Sequence, residues 1–284
     1  MPVWKVVSLT CLALLAFAGN SLLCRAALLN GTIDPASFTS LRLLSGAVTL
    51  ALLVALRAGL APLVARAKLS GSWLSALALF VYAAGFSFSY LQLTTATGAL
   101  ILFGAVQISM IGYGFYRGER FSLPQWAGLL LAGAGLLALL LPGASAPPLL
   151  AAVLMLGAGV AWALYSIRGK GAGDPLLQTA GNFIRTLPLC LLLSLWYWQA
   201  QSFEAVGVVY AVVSGAVTSG LGYALWYAVL PSLKATTAAT VQLSVPVIAA
   251  FAAVLFLQEA ISLRLALASC AVLGGVGLVL RSKT

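Results

Sequence analysis

The sequence predicts an all-α integral membrane protein with ten transmembrane helices, arranged as two inverted five-helix repeats. The first observation is composition: 62% of the 284 residues are hydrophobic and 7% are charged, whereas soluble domains carry about 25% charged residues. The second is a series of ten apolar segments of about 20 residues, the length that crosses a bilayer core. The third is a set of short motifs that recur at an interval of 140 residues.

The ten spans follow one another with short gaps, and several helix starts are explicit. Continuous apolar runs favour helices, because a helix satisfies its backbone groups within one segment in lipid, whereas a β-barrel shows alternating segments of about ten residues. Asp34 and Asp174, each followed by proline, are typical N-caps of the second and seventh helices, and Ser122 and Ser262 open the fifth and tenth. The predicted spans are 6–29, 35–56, 72–93, 96–116, 123–141, 148–168, 175–198, 205–230, 236–257 and 262–281.

The repeat divides the chain into two units, 1–145 and 146–284. Glu119 and Glu259 are 140 residues apart, as are the two Asp-Pro pairs. Each unit contains five helices, an odd number, so the second unit enters the membrane in the opposite direction to the first. Inverted repeats of this kind are typical of secondary transporters with a site between the two halves.

Basic residues predict the orientation. If the N-terminus is cytoplasmic, eleven lysines and arginines fall at cytoplasmic helix ends, whereas Arg25 and Arg264 fall at the outer ends. The excess of positive charge on one side predicts that both termini are cytoplasmic.

Small residues predict close packing of the fifth and tenth helices. Gly128 with Ala132, and Ala271 with Gly275, have the small-xxx-small spacing that lets helices approach closely. Packing within one chain is the favoured interpretation, and a dimer seam is the alternative.

Composition also excludes several classes of function. The net charge is +10, but the basic residues lie in short gaps between apolar runs, so no nucleic-acid partner is expected. The chain has no histidine, and its four cysteines lie in apolar runs without a CxxC pair, so no metal or other cofactor is expected. No Walker motif is present, which disfavours an ATP-driven pump.

Five segments in order resemble the EamA-type permeases of the drug/metabolite transporter superfamily, and within it the chain looks most like the YddG-type exporters of aromatic and other amino acids. They are "DPASFTSLRLL" (34–44), "GER…SLPQWAGLLLAGAGLLAL" (118–139), "AWALYSIRGK" (161–170), "DPLLQTAGNFIR" (174–185) and "ATTAATVQLSVPVIAAFAAVLFLQEAIS" (235–262). The resemblance implies a monomer in the bacterial inner membrane that exports a small-molecule substrate by alternating access. It also implies a central cavity lined by the first, third, fourth, sixth, eighth and ninth helices.

Polar and aromatic residues at mid-depth on those helices are the candidate cavity lining. They could orient a zwitterion by hydrogen bonds and pack against its side chain; alternatively, such residues join helices or anchor them at the membrane interface. Pro246 is a candidate hinge, although simple helix curvature would explain it equally. The candidates are Asn20, Tyr82, Gln107, Trp162, Tyr223, Gln242 and Ser244.

The charged residues within spans refine this hypothesis. All five acidic residues lie at predicted helix ends, whereas proton-coupled transporters usually carry an ionisable acid or histidine inside a span; uncoupled transport is therefore predicted. Arg42 and Arg185 lie inside spans and could each bind a substrate carboxylate or brace the structure. Because the second and seventh helices are expected to brace the bundle, the structural role is favoured for both.

Three alternatives remain open. A sugar-phosphate or nucleotide-sugar exchanger would want several mid-depth basic residues for its phosphates, and a drug efflux permease for cations would want a buried anion. A membrane enzyme acting on lipid-linked substrates would need a base, nucleophile or metal cluster near an interface. The sequence supports none of these as well as it supports a metabolite exporter.

Overall fold

The computed structural model of the protein describes residues 1–58, 70–118, 122–141, 143, 146–169, 173–233 and 241–281. This described part is helical, with one isolated bridge between Ile33 and Phe203. The long helices are α1 Val3–Leu29, α2 Pro35–Ala58, α3 Trp73–Tyr90, α4 Thr95–Tyr116, α5 Leu123–Leu140, α6 Leu149–Gly169, α7 Pro175–Trp196, α8 Ala205–Ser232, α9 Ser244–Leu257 and α10 Leu263–Arg281.

The helices confirm the all-α prediction for the described residues and are consistent with a membrane protein. By length and composition α1 to α8 could each cross a membrane, whereas α9 and the segment Leu263–Val279 of α10 are apolar but shorter. Most helix ends lie within a few residues of the predicted spans. The main difference is α9, which begins at Ser244 after a turn at Leu243; the predicted start at 236 lies outside the described residues. Ten crossings therefore remain a prediction.

The predicted caps are present. Asp34 Oδ1 accepts hydrogen bonds from two first-turn N–H groups of α2 at 3.0 and 2.9 Å, and Asp174 Oδ1 does the same for α7 at 3.0 and 3.4 Å. Ser262 Oγ accepts from a first-turn N–H of α10 at 3.1 Å. At the start of α5, the Ser122 N–H donates to the Gln125 side chain at 2.8 Å. These bonds satisfy N–H groups that a helix start otherwise leaves unpaired.

Helices α2 and α7 pack antiparallel. Arg57, near the end of α2, forms an ion pair at 3.1 Å with Asp174 at the start of α7. Ser40, near the start of α2, lies with its Oγ 3.0 Å from Ser194 Oγ near the end of α7. The caps Asp34 and Asp174 therefore lie at opposite ends of the bundle. We call these the Glu259 end, where α1 and α9 finish and α2 begins, and the Asp174 end.

Helices α5 and α10 also pack antiparallel, through glycines. A Cβ on Gly128 would lie 2.5 Å from the Gly275 carbonyl oxygen, and a Cβ on Gly275 would lie 2.5 Å from that of Gly128. Arg264, at the start of α10, donates from Nε to the Ala138 carbonyl near the end of α5 at 3.0 Å. The small residues thus let two backbones touch within one chain, which confirms the favoured interpretation of their spacing.

The acidic residues lie at helix ends as predicted, as far as they are described. Asp34, Asp174 and Glu204 each directly precede a helix, and Glu259 follows α9. The other residues used in the charge argument, Glu119, Arg66, Lys68, Arg120, Lys170, Lys234 and Lys283, lie outside the described residues.

Candidate substrate-binding site

A small closed cavity lies among α1, α3, α4, α6 and α8, helices drawn from both halves of the chain. Its volume is about 20 Å³, which is room for about one water molecule. Six of the side chains around it are aromatic: Phe17, Tyr82, Phe86, Phe103, Trp162 and Tyr223. No organic solute fits in this volume, and we call this arrangement the closed state; a substrate bound here would require these helices to separate.

Trp162 is the centre of the aromatic cluster and connects the two halves. Its ring centroid lies 4.8 Å from that of Tyr82 on α3 and 5.0 Å from that of Tyr223 on α8. Phe17 on α1 packs edge-on against Tyr223 at 5.9 Å. These distances are those of favourable aromatic pairs, so the rings themselves fill the space that a substrate would occupy.

Asn20 on α1 bridges the two sides of the cavity through hydrogen bonds. Its Nδ2 donates to the Tyr82 hydroxyl at 3.3 Å, and its Oδ1 accepts from Ser214 Oγ on α8 at 2.6 Å. All three side chains are buried. A buried amide satisfied on both its donor and acceptor sides fixes the relative positions of α1, α3 and α8.

Arg42 of α2 reaches into this centre and is 1% exposed. Its Nε donates to Ser219 Oγ at 3.1 Å and its Nη2 to the Tyr82 hydroxyl at 3.0 Å. The guanidinium carbon lies 5.2 Å from the Tyr82 ring centroid and 4.9 Å from that of Phe86, within the range of cation–π attraction. The two N–H groups on Nη1 have no partner among the described residues.

The serines of this centre come from a π-helical segment, Ser214–Leu221, in the middle of α8. Such segments are rare and frequent at functional sites. Gly215 permits its close approach to α2, because a Cβ there would lie 2.1 Å from the Arg42 carbonyl oxygen and 2.0 Å from Ser45 Oγ. The segment thereby presents Ser219 to the guanidinium.

A buried ion pair closes the bundle at the Glu259 end. Arg25 Nε, on the last turns of α1, lies 3.1 Å from Glu259 Oε1, and each side chain is 10% exposed. Arg25 Nη1 also donates to the carbonyls of Tyr90 and Leu91 at 2.8 and 3.1 Å, and the Thr95 N–H donates to Glu259 Oε2 at 2.7 Å. One network therefore joins α1, the α3–α4 turn and the end of α9.

Four of the seven predicted lining residues meet at the cavity: Asn20, Tyr82, Trp162 and Tyr223. The other three lie elsewhere, and their role in binding stays a prediction. Gln107 is buried in α4 away from the cavity lining, Gln242 is half-buried, and Ser244 donates to the Val241 carbonyl at 2.6 Å.

The remaining sequence candidates differ in their surroundings. Pro246 is the third residue of α9 and follows a turn, a position where proline removes no intrahelical bond; a hinge role stays a prediction. Arg185 donates from Nη1 to the carbonyls of Ser70 and Gly181, which is the geometry of a brace. Arg42 instead lies beside the cavity, although α2 was expected only to brace.

Sequence reasoning missed several residues of this site. Phe17 and Phe86 look like ordinary core residues in an apolar helix, and nothing in the sequence separates them from their neighbours. Ser214 and Ser219 were detectable in principle, because the run "SGAVTSG" (214–220) places small polar residues at the middle of an apolar span. The pairing of Arg25 with Glu259 joins residues 234 positions apart and has no local signal.

Comparison with known proteins assigns the family. Residues 149–281 match the EamA-like transporter family. The chain carries an EamA-like transporter domain. An uncharacterised protein of Pseudomonas aeruginosa is 54% identical over 280 residues, which cover 99% of this chain and 96% of that protein. A solved crystal structure aligns over 96% of both chains with a TM-score of 0.67 and 18% identity, so the EamA-like chain shares its fold.

Proposed function

We propose that this protein exports small metabolites, chiefly amino acids including aromatic ones, across the bacterial inner membrane by alternating access. The observation that carries the proposal is the closed cavity, whose wall combines aromatic rings and hydrogen-bonding groups from both halves of the chain. Sites for small molecules have this character, mostly apolar with a few placed polar groups. The EamA-like domain supports membrane transport as the general activity.

The packing of equivalent helices supports two inverted units, 1–145 and 146–284. Helices α2 and α7 begin with the same Asp-Pro pair, yet Asp34 and Asp174 lie at opposite ends of the bundle. Helices α5 and α10 likewise begin at opposite ends. This relation is the one expected of an inverted repeat, in which rocking of one half against the other exposes a central site to each side in turn.

The distribution of charge supports the proposed orientation of the helices in the membrane and transport that is not coupled to protons. Among the described basic residues, Lys5, Arg57, Arg117 and Arg168 lie at the Asp174 end, which favours a cytoplasmic location for that end and for both termini. The four described acids lie at helix ends, so no described carboxylate is placed at mid-depth to carry a proton. We therefore propose transport driven by the gradient of the substrate alone.

Transport by the purified protein in liposomes tests the proposal. Vesicles loaded with labelled phenylalanine should release it faster than empty-membrane controls, and a proton ionophore should leave the rate unchanged. Trp162→Leu should abolish the release because it removes the ring that joins both halves, whereas Trp196→Leu, at a side chain 78% exposed, should not. Release that requires and dissipates a proton gradient would refute uncoupled transport, and no release of any metabolite would refute the proposal as a whole.

A further inference from the structure

Arg42 differs from the two other arginines described within the helical bundle, Arg25 and Arg185, in how its donors are used. Arg25 and Arg185 both donate to main-chain carbonyls, and Arg25 also pairs with a carboxylate. Among the described residues, Arg42 donates only to two side-chain hydroxyls, and both N–H groups of its Nη1 are without a partner. An arginine with a purely structural role uses its donors on main-chain carbonyls, whereas buried Arg42 keeps two N–H donors available.

The charge of Arg42 is also not balanced within the described structure. A guanidinium stays protonated at any physiological pH. The ion pairs among the described residues, Arg25 with Glu259 and Arg57 with Asp174, both lie at the ends of the bundle. The centre therefore holds one net positive charge, which is costly at mid-depth in a membrane protein and typical of a functional position.

The unused donors of Arg42 lie directly behind the wall of the same cavity. Tyr82 and Phe86 line it, and the guanidinium lies against both of their rings. The Tyr223 hydroxyl, also at the cavity wall, is buried next to Tyr82 and has no hydrogen-bond partner at normal distance and angle among the described residues. When the cavity expands, a negatively charged acceptor entering it can take hydrogen bonds from Arg42 and Tyr223 together, and the planar guanidinium matches a carboxylate in shape and charge.

The other residues that line the cavity indicate what the uncharged part of the ligand should be. Its aromatic walls suit an apolar or aromatic body. An α-ammonium group, one carbon from the carboxylate, would lie close to the guanidinium, and no described carboxylate is placed to offset that repulsion. We infer that the preferred substrates are monoanionic carboxylates with an apolar or aromatic body, bound through Arg42, and that zwitterionic amino acids bind less tightly. This inference rests on the proposed export function and revises its substrate class, from chiefly amino acids to chiefly monoanionic carboxylates.

Three ligands with one phenyl body and different charge test the inference on the purified full chain. They are 3-phenylpropionate (anion), phenylalanine (zwitterion) and phenethylamine (cation), and binding is measured by thermal stabilisation and by competition in liposome efflux. Affinity should fall in that order. Arg42→Met should weaken 3-phenylpropionate about tenfold to hundredfold, the range expected for losing a charged hydrogen-bonding partner, and should not weaken phenethylamine. Arg42→Lys should restore part of the loss, since it returns the charge without the planar fork.

Arg57→Gln is the matched control, because it removes one positive charge at an exposed ion pair and should leave all three affinities unchanged. If Arg42→Met does not fold, Arg42→Lys and the charge series on the unmodified chain still decide the question. Equal or tighter binding of phenethylamine, or an unchanged preference for the anion in a folded Arg42→Met protein, would overturn the inference. Efflux of phenylalanine without preference for the anion would leave the proposed function standing, whereas efflux of none of the metabolites tested would remove both.

Discussion

Replacing Glu259 with glutamine should open the Glu259 end of the bundle. The substitution keeps one oxygen, which can accept from the Thr95 N–H, so it removes the charge of the pair and the hydrogen bond from Arg25 Nε. Arg25 then stays buried with its two carbonyl partners, Tyr90 and Leu91, but without its counter-ion. Because this network joins α1, the α3–α4 turn and α9, its loss acts on the contact between the two halves.

The magnitude follows from burial. Removing one partner of a buried ion pair costs about 3–5 kcal/mol, and both side chains here are 10% exposed. The carbonyl bonds that Arg25 retains reduce this cost, so we expect about 2 kcal/mol. If the pair forms only in the closed state, the same free energy raises the open population about 30-fold.

The native cysteines provide the assay. Cys24 precedes Arg25 and is fully buried in the closed state. In a chain with Cys11, Cys190 and Cys270 replaced by serine, the rate of maleimide labelling at Cys24 reports opening at this end. Glu259→Gln should raise that rate about 30-fold, in proportion to the open population.

Two controls separate opening from unfolding. Glu204→Gln removes a carboxylate that is exposed and makes no capping hydrogen bond, and it should not change labelling. A chain retaining only Cys190, which is buried in α7, should label slowly with or without Glu259→Gln, because general unfolding would expose it too. An unchanged Cys24 rate in a folded Glu259→Gln protein would refute the assignment of the pair to the closed state.

Two glycines provide further predictions. Gly215→Ala should lower the free energy of unfolding by about 1–3 kcal/mol and slow transport, because the new Cβ would displace the main chain of Arg42. Gly112→Ala is the control, because a Cβ at that position would have open space around it. Gly128→Ala should lower the melting temperature by separating α5 from α10, whereas Gly133→Ala on the same helix, also with open space at its Cβ, should not; equal effects would contradict the packing argument. The melting temperature and the efflux rate are measured for each glycine variant and its control.

The fold was predictable because its signals are local. Apolar length fixes where a helix can span lipid, and the Asp-Pro pairs fix where α2 and α7 begin. The start of α9 was less predictable, because the continuous apolar character of 236–257 gives no sign of the turn at Leu243. The inverted insertion of the second unit stays a prediction from the odd number of spans per unit, and the antiparallel packing of α2 and α7 supports it.

The site was predictable only in part, because apolar helices do not reveal which face meets a neighbour. Asn20, Tyr82, Trp162 and Tyr223 were identified from residue type and depth, but the same rule also selected Gln107, which does not line the cavity. Helix-level reasoning missed the position of Arg42, since a long side chain on α2 can extend past its own helix to α3 and α8. The π-helical segment of α8 also makes the site harder to predict, because it changes the angle between successive side chains, from which the buried face of a helix is inferred.

The substrate site and the closed end depend on the same two helices, α1 and α3. Asn20 and Arg25 lie on α1, and their partners Tyr82 and Tyr90 belong to α3. A ligand that binds Arg42 must move the Tyr82 ring, which now packs against Trp162 and occupies part of the space. Moving Tyr82 loosens the α1–α3 contact near Asn20, and the same contact holds Arg25 in reach of Glu259. We therefore propose that binding and opening are linked through these rigid elements, as the proposed alternating access requires. The Glu259→Gln substitution should accordingly raise the apparent affinity for the ligand by populating the open state, while the intrinsic affinity of the Arg42 site stays unchanged.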